Sequence, residues 1–157
     1  MSDQNMRVVD AARDWIGTPY RHQGSCKGAG ADCLGLVRGV WRDVLGAEPE
    51  AVPAYTMDWS EPQAVEDLWQ AALRHFLPKD LGDEAPGDLL LFRMRDGAVA
   101  KHVGITGTVG AGASFIHAYS RHAVVESPLS VPWRRRIVAR FAFPPEILRQ
   151  DDLRQEV

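Results

Sequence analysis

The hydrophobic positions change rhythm once along the chain: up to Phe76 they recur at helical spacing, and beyond Gly87 they fall in short blocks or alternate. Val8, Val9, Ala12, Trp15 and Ile16 make a first apolar stripe, entered after the polar Asp3, Gln4 and Asn5 and stopped by Gly17, which predicts a helix. A glycine-rich loop through Gly24, Gly28 and Gly30 follows. Leu36, Val37, Val40, Trp41 and Val44 then form a second stripe ending at Gly46. Asp32 stands at the N-cap position, so Cys33 is predicted to open this second helix. Beyond Ala47 the chain carries Pro49, Pro53 and Pro62 with little periodicity and reads as a surface connection. A third helix is predicted on Val65, Leu68, Trp69, Ala72, Leu73 and Phe76, with Pro78 closing it.

After Pro86 and Gly87 come blocks rich in β-formers at 88–94, 101–106, 114–119, 123–126 and 137–143, separated by turn residues. Helices first and a meander of strands second is the order of an α+β domain, with the helices packed on a five-stranded, mainly antiparallel sheet. Pro144 and Pro145 end that sheet. The expected organisation is one domain over 1–145, with a helical insert at 47–78 and a polar, frayed tail at 146–157.

Composition narrows the function without naming it. At 157 residues, 45% hydrophobic and 25% charged, the chain has the make-up of an ordinary folded domain. Its formal charge of -3 offers no overall positive field for nucleic acid or an anionic membrane, and Arg134, Arg135 and Arg136 are the one basic run. No window approaches the roughly 18 apolar residues of a membrane helix. The opening residues lack the pattern of a secretory leader, so the chain is expected to be made in a cytoplasm and carried elsewhere by something else. Two cysteines, Cys26 and Cys33, fit a reducing compartment better than a disulfide framework. Cys26 is expected to be a free loop thiol, with a reversible bridge to Cys33 as the alternative.

A helix start supplies free amides and the positive end of the helix dipole, both of which favour a thiolate. Cys33 has that position, and the amide of Cys33 itself is placed to help hold an oxyanion. By itself, a cysteine opening an apolar helix is more often a packing residue. In residues 101–106 the strand period puts His102, Gly104 and Thr106 on one face, and Gly104 is expected to leave open space beside His102. His117 stands mid-strand in the next block, one strand spacing away. Nucleophile, base and orienting group are then available as Cys33, His102 and His117. Two strand histidines together with a helix-opening cysteine shift the balance toward chemistry.

Five motifs in order now resemble the NlpC-type, papain-like cell-wall cysteine peptidases: Gly17-Thr18-Pro19-Tyr20, Asp32-Cys33-Leu34-Gly35-Leu36-Val37, Pro86-Gly87-Asp88-Leu89-Leu90, His102-Val103-Gly104-Ile105 and Phe115-Ile116-His117-Ala118. The resemblance implies a papain-like core, a Cys-His-His triad and hydrolysis of peptide stems in bacterial peptidoglycan between D-glutamate and a diamino acid, with no cofactor. By position it makes Cys33 the nucleophile, His102 the base and His117 the orienter. It places Tyr20 near the thiol and the substrate amine, and Asp32 in the family's acidic position before the nucleophile. The chain looks closest to the compact branch found with phage tails and gene transfer agents, which implies delivery by such a particle and contact with its structural proteins. Leu34 stands where most of the family has serine, and Arg21-His22-Gln23 replaces the usual aromatic and glycine pattern; both bear on substrate preference.

Other readings carry less weight. His22, Cys26, Cys33, His102 and His117 lack the intervals of a zinc knuckle or an H-E-x-x-H helix. Trp15, Trp41 and Trp69 fall on apolar stripes as core residues, whereas Trp59 and Trp133 lie among prolines, where contact with substrate or partner is the functional option. His75 and His122 are expected at a helix end and in an exposed turn. The competing functions are an idle structural plug that keeps the fold, and an amidase or acyltransferase using the same Cys-His pair.

Overall fold

The computed structural model describes residues 3–50, 66–119 and 121–146. Three helices come early: α1 (Asp3–Asp14), α2 (Cys33–Leu45) and α3 (Asp67–His75). Two short strands, β1 (Ser25–Cys26) and β2 (Gly30–Ala31), form a small ribbon between α1 and α2. The remaining chain gives β3 (Leu77–Lys79), β4 (Leu89–Phe92), β5 (His102–Thr106), β6 (Ser114–Ala118), β7 (Val124–Pro128), a one-turn helix α4 (Val131–Arg136) and β8 (Ile137–Ala142).

Among the described residues the main sheet is antiparallel throughout, in the order β3-β8-β4-β5-β6-β7, with six strands where five were expected. The extra strand contains Pro78, which pairs with Phe141 instead of merely ending α3. A proline is tolerated there because β3 is an edge strand, with one side free of ladder partners. The helix expected through Ile16 ends at Asp14, and Trp15 lies in the turn that follows, fully buried with its indole donating to Asp43 at 3.1 Å. Arg134, Arg135 and Arg136, expected to enter a strand, form the last turn of α4.

Strand alternation sorts the sheet into two packed faces. Leu89, Leu91, Val103, Ile105 and Ile116 join Val8, Ala12, Leu36, Val40, Leu68 and Ala72 in the main core beneath the helices. Leu90, Phe92 and Phe115 face the other way, under Leu129, Met94 and Trp133. Burial of β4 on both sides explains why its sequence is an unbroken apolar run.

The described part of the expected insert belongs to this architecture. Leu68 and Ala72 of α3 are core residues, and Glu66 accepts from the Ala100 amide at 3.0 Å and pairs with Arg93 at 3.2 Å. Trp59 and the apolar loop around it lie outside the described residues. At the foot of β4, buried Asp88 binds Lys79 at 2.9 Å, Arg140 at 2.8 Å and the Ala85 amide at 2.9 Å, joining β3, β4 and β8. A buried charge needs such a full set of partners.

Candidate active site

The site begins at the N-terminus of α2. Asp32 is extended (φ -100°, ψ -173°), and its Oδ1 accepts from the Gly35 amide at 2.7 Å. Its Oδ2 accepts from the Gln23 amide at 2.7 Å and lies 3.9 Å from His22. The carboxylate thus caps the helix and ties the preceding loop to it. A Cβ at position 35 would lie 1.7 Å from the Gly24 carbonyl oxygen, so the loop closes over the first helical turn only because that residue is glycine. Asp32 is 3% exposed with both oxygens engaged by backbone amides, so it acts on its surroundings through its charge.

Cys33 is half-buried and its thiol donates to the Lys101 carbonyl at 3.9 Å. The amides of Val103, Leu34 and Cys33 itself point at the sulfur. These donors favour the thiolate, as expected of a helix start, but burial and the neighbouring Asp32 charge outweigh them and push the thiol up to about 12. In the resting structure Cys33 is therefore a neutral thiol. Its place is made by the sheet: β5 and β6 pair in register only at Ile105–Ile116 and Thr106–Phe115. Toward His102 that ladder stops, and the thiol engages backbone groups on either side of His102.

His102 and His117 share a face of β5 and β6. Their rings meet at 5.1 Å between centroids in a T-shaped arrangement, with His102 Nε2 at 2.9 Å from His117 Nδ1. His117 Nε2 in turn lies 2.9 Å from Ser127 Oγ on β7. Nε2 of His102 is engaged by the second histidine, so Nδ1 is the nitrogen left to receive a proton. Burial, reinforced by the neighbouring ring, lowers His102 to about 3; burial and His122 lower His117 to about 4. Both imidazoles are neutral at ordinary pH.

The open space expected beside His102 is filled. A Cβ on Gly104 would meet Phe115 Cδ2 at 2.9 Å and His117 Cβ at 3.4 Å, so the glycine admits these side chains and leaves no gap. Phe92, Tyr119 and Trp133 surround His102 at 5.5, 5.8 and 5.7 Å between centroids, and it is 6% exposed. Trp133 comes from α4, and the Arg136 guanidinium stacks over its ring at 5.4 Å.

Tyr20 is drawn toward α2 by the bonds from Arg21 N to Ala31 O at 3.1 Å and from Ala31 N to Pro19 O at 2.9 Å. Burial, then the charge of Asp32, raises its hydroxyl above the usual phenol range, so it stays a neutral hydrogen-bonding group. Leu34 is half-buried against the main core. Cys26 is an exposed free thiol, in β1 and not in a loop, and it is not bonded to Cys33. His75 ends α3, 3.2 Å from Glu50, and exposed His122 stacks on Tyr119. Among the described residues, no group of three or more His, Cys, Asp or Glu is arranged to hold a metal ion.

Sequence reading missed Ser127 because the strand expected to stop at residue 126 continues to Pro128. Continuing the alternation from Val125 by one step would have put Ser127 on the His117 face. The backbone groups of Lys101 and Val103 leave no signal in a sequence.

The sequence pattern described as the NlpC/P60 family matches residues 17–141. The chain is 33% identical over 127 residues to the Escherichia coli (strain K12) protein named "Probable endopeptidase NlpC", covering 80% of this chain and 70% of that one. It is 29% identical over 136 residues to "Murein DD-endopeptidase MepH" of the same organism, covering 85% of this chain but 44% of that one. Among solved structures, an NlpC/P60 family protein from Bacillus cereus ATCC 10987 superposes with a TM-score of 0.62 at 22% identity, over 90% of this chain and 40% of that one. The NlpC/p60 domain of peptidoglycan hydrolase SagA gives 0.60 at 24% identity, over 88% and 98% of the two chains. These structural likenesses concern the fold.

Proposed function

This chain belongs to the NlpC/P60 family, and from that premise we propose that it is a cysteine endopeptidase hydrolysing the peptide stems of bacterial peptidoglycan, at the bond between D-glutamate and a diamino acid. The observation that carries the reading is the position of the Cys33 thiol at a helix start, against the backbone flanking a histidine whose far nitrogen is held by a second histidine.

In the proposed reaction Cys33 Sγ attacks the scissile carbonyl carbon while its proton passes to His102 Nδ1. Amides at the start of α2 stabilise the oxyanion. Collapse breaks the C–N bond, the imidazolium returns its proton to the leaving amine, and an acyl thioester remains. Water, deprotonated by His102, then attacks the thioester and releases the carboxylate and the thiol. Tyr20, Asp32, Leu34 and Trp59 are proposed to select the stem peptide, Asp32 through its charge because its oxygens are held by backbone amides. The name of one relative as a murein endopeptidase supports the substrate class.

The test is a digest of purified peptidoglycan read by mass spectrometry with the wild type and Cys33→Ala. New fragments with a diamino-acid amine terminus, absent with the variant, are expected; an unchanged digest, or equal activity in the variant, contradicts the reading. Delivery by a phage-like tail is a separate proposal supported by the sequence resemblance alone. Co-sedimentation of the chain with assembled particles tests it, and exclusive recovery as free protein would overturn it.

A further inference from the structure

His102, His117 and Ser127 stand on three neighbouring strands and share one face of the sheet. The contacts run from His102 Nε2 to His117 Nδ1 at 2.9 Å and from His117 Nε2 to Ser127 Oγ at 2.9 Å. A neutral imidazole carries one N–H, so each ring must donate through one nitrogen and accept through the other. The proton arrangement of the whole row is consequently set by its end. If the Ser127 hydroxyl accepts, His117 carries its proton on Nε2 and accepts at Nδ1, so His102 carries its own proton on Nε2 and presents a bare Nδ1. If the hydroxyl donates, both rings reverse, and His102 Nδ1 is already protonated. Only the first arrangement leaves His102 with a bare Nδ1 able to act as a base.

We propose that Ser127 is a positioning residue that accepts a hydrogen bond from His117 and thereby holds His102 in the tautomer able to take a proton at Nδ1. The assignment extends the site by one residue beyond the second histidine and rests on the proposed cysteine mechanism for its consequence, though not for its geometry. Ser127 belongs to the edge strand and is only partly buried, so its O–H can turn to solvent and leave a lone pair for the ring. The second histidine alone does not suffice as an orienter, because histidine can donate from either nitrogen. The hydroxyl at the end of the row is what breaks that tie.

The inference is tested by long-range proton–nitrogen correlation spectra of histidine-labelled protein near pH 7, recorded with the wild type, Ser127→Ala and Ser127→Thr, alongside turnover. In the wild type both His102 and His117 should show protonated Nε2 and bare Nδ1. Ser127→Ala should give mixed tautomers at both rings and lower kcat about tenfold with KM little changed, the size expected for losing one neutral hydrogen bond. Ser127→Thr should restore both readouts. Protonated Nδ1 on His117 in the wild type, or an unchanged tautomer in Ser127→Ala, would overturn the role of Ser127. A wild type with the expected tautomers but no turnover would instead count against the proposed reaction, so the two failures are distinguishable.

Discussion

The two faces of β5 and β6 are made from the same ten residues, yet they do opposite work. On the helix side, Val103, Ile105 and Ile116 meet α1 and α2 in a core with no titratable side chain from these strands. On the other side, His102 and His117 stand among Phe92, Phe115 and Trp133, also buried but joined by a hydrogen bond. A period of two lets one strand serve both ends: every second residue anchors the sheet, and the residues between are held rigidly by that anchoring. The difference teaches that burial alone does not separate core from site here. What separates them is whether buried nitrogens have partners and whether one is left over for chemistry.

Substitutions on the two faces should separate activity from stability. His102→Gln keeps roughly the volume of the ring but removes the base, and it should lower turnover by about 10²- to 10⁴-fold while leaving thermal unfolding nearly unchanged. Ile105→Ala, three residues along the same strand on the opposite face and fully buried, should cost about 2–5 kcal/mol of stability with turnover per folded molecule retained. Urea unfolding and steady-state rates on the same preparations check both. If each variant lost activity and stability in equal measure, the two faces would not be functionally distinct.

A smaller and graded effect is expected with pH. His102 and His117 titrate at about 3 and 4 in the folded chain against an ordinary 6.5. The unfolded chain therefore binds protons below pH 6.5 that the folded chain refuses, and the stability these neutral rings contribute is present above 6.5 and drains away as pH falls toward 3. Cys33 works in the other direction: held near 12 against 9.0, it contributes fully below pH 9 and loses that contribution as pH rises toward 12. Tm measured from pH 4 to pH 10 should fall at both ends, and His117→Asn should flatten the acid side. An acid limb unchanged by that substitution would place its origin elsewhere.

The smallest effect should come from the roof of the site. Trp133→Ala thins the cover over His102 and should raise its pKa toward the ordinary value by admitting water, because burial is the main cause of the depression. The acid limb of turnover would then move to higher pH, with the alkaline side little altered. A pH profile that does not move would show that Phe92 and Tyr119 suffice to keep the ring dry.

Much of this was legible in the sequence because it depends on period and on caps. Asp32 followed by an apolar stripe gave the helix start, and the alternation around Gly104 put His102 on the face opposite Val103. Several features escaped. β3 was hidden because a proline in three residues hardly signals a strand, and only pairing with β8 defines it. Gly104 was misread as open space, since a sequence shows a missing side chain but not the neighbour that fills the gap. The thiol's surroundings were also misjudged, because helix amides favour ionisation while burial and Asp32, whose combined weight only the folded structure shows, oppose it more strongly. Nothing in the block 137–143 marks Arg140, yet it lies 2% exposed in an ion pair with Asp88 at 2.8 Å.

The central claim is that His102 serves Cys33 and not merely the packing of the sheet. The most direct measurement is the rate at which iodoacetamide modifies each cysteine at neutral pH, followed by peptide mass spectrometry in the wild type and in His102→Gln, with exposed Cys26 as reference in the same tube. The account predicts that loss of the base slows modification of Cys33 by about tenfold or more while Cys26 reacts at an unchanged rate. Equal Cys33 rates in the two proteins would contradict it.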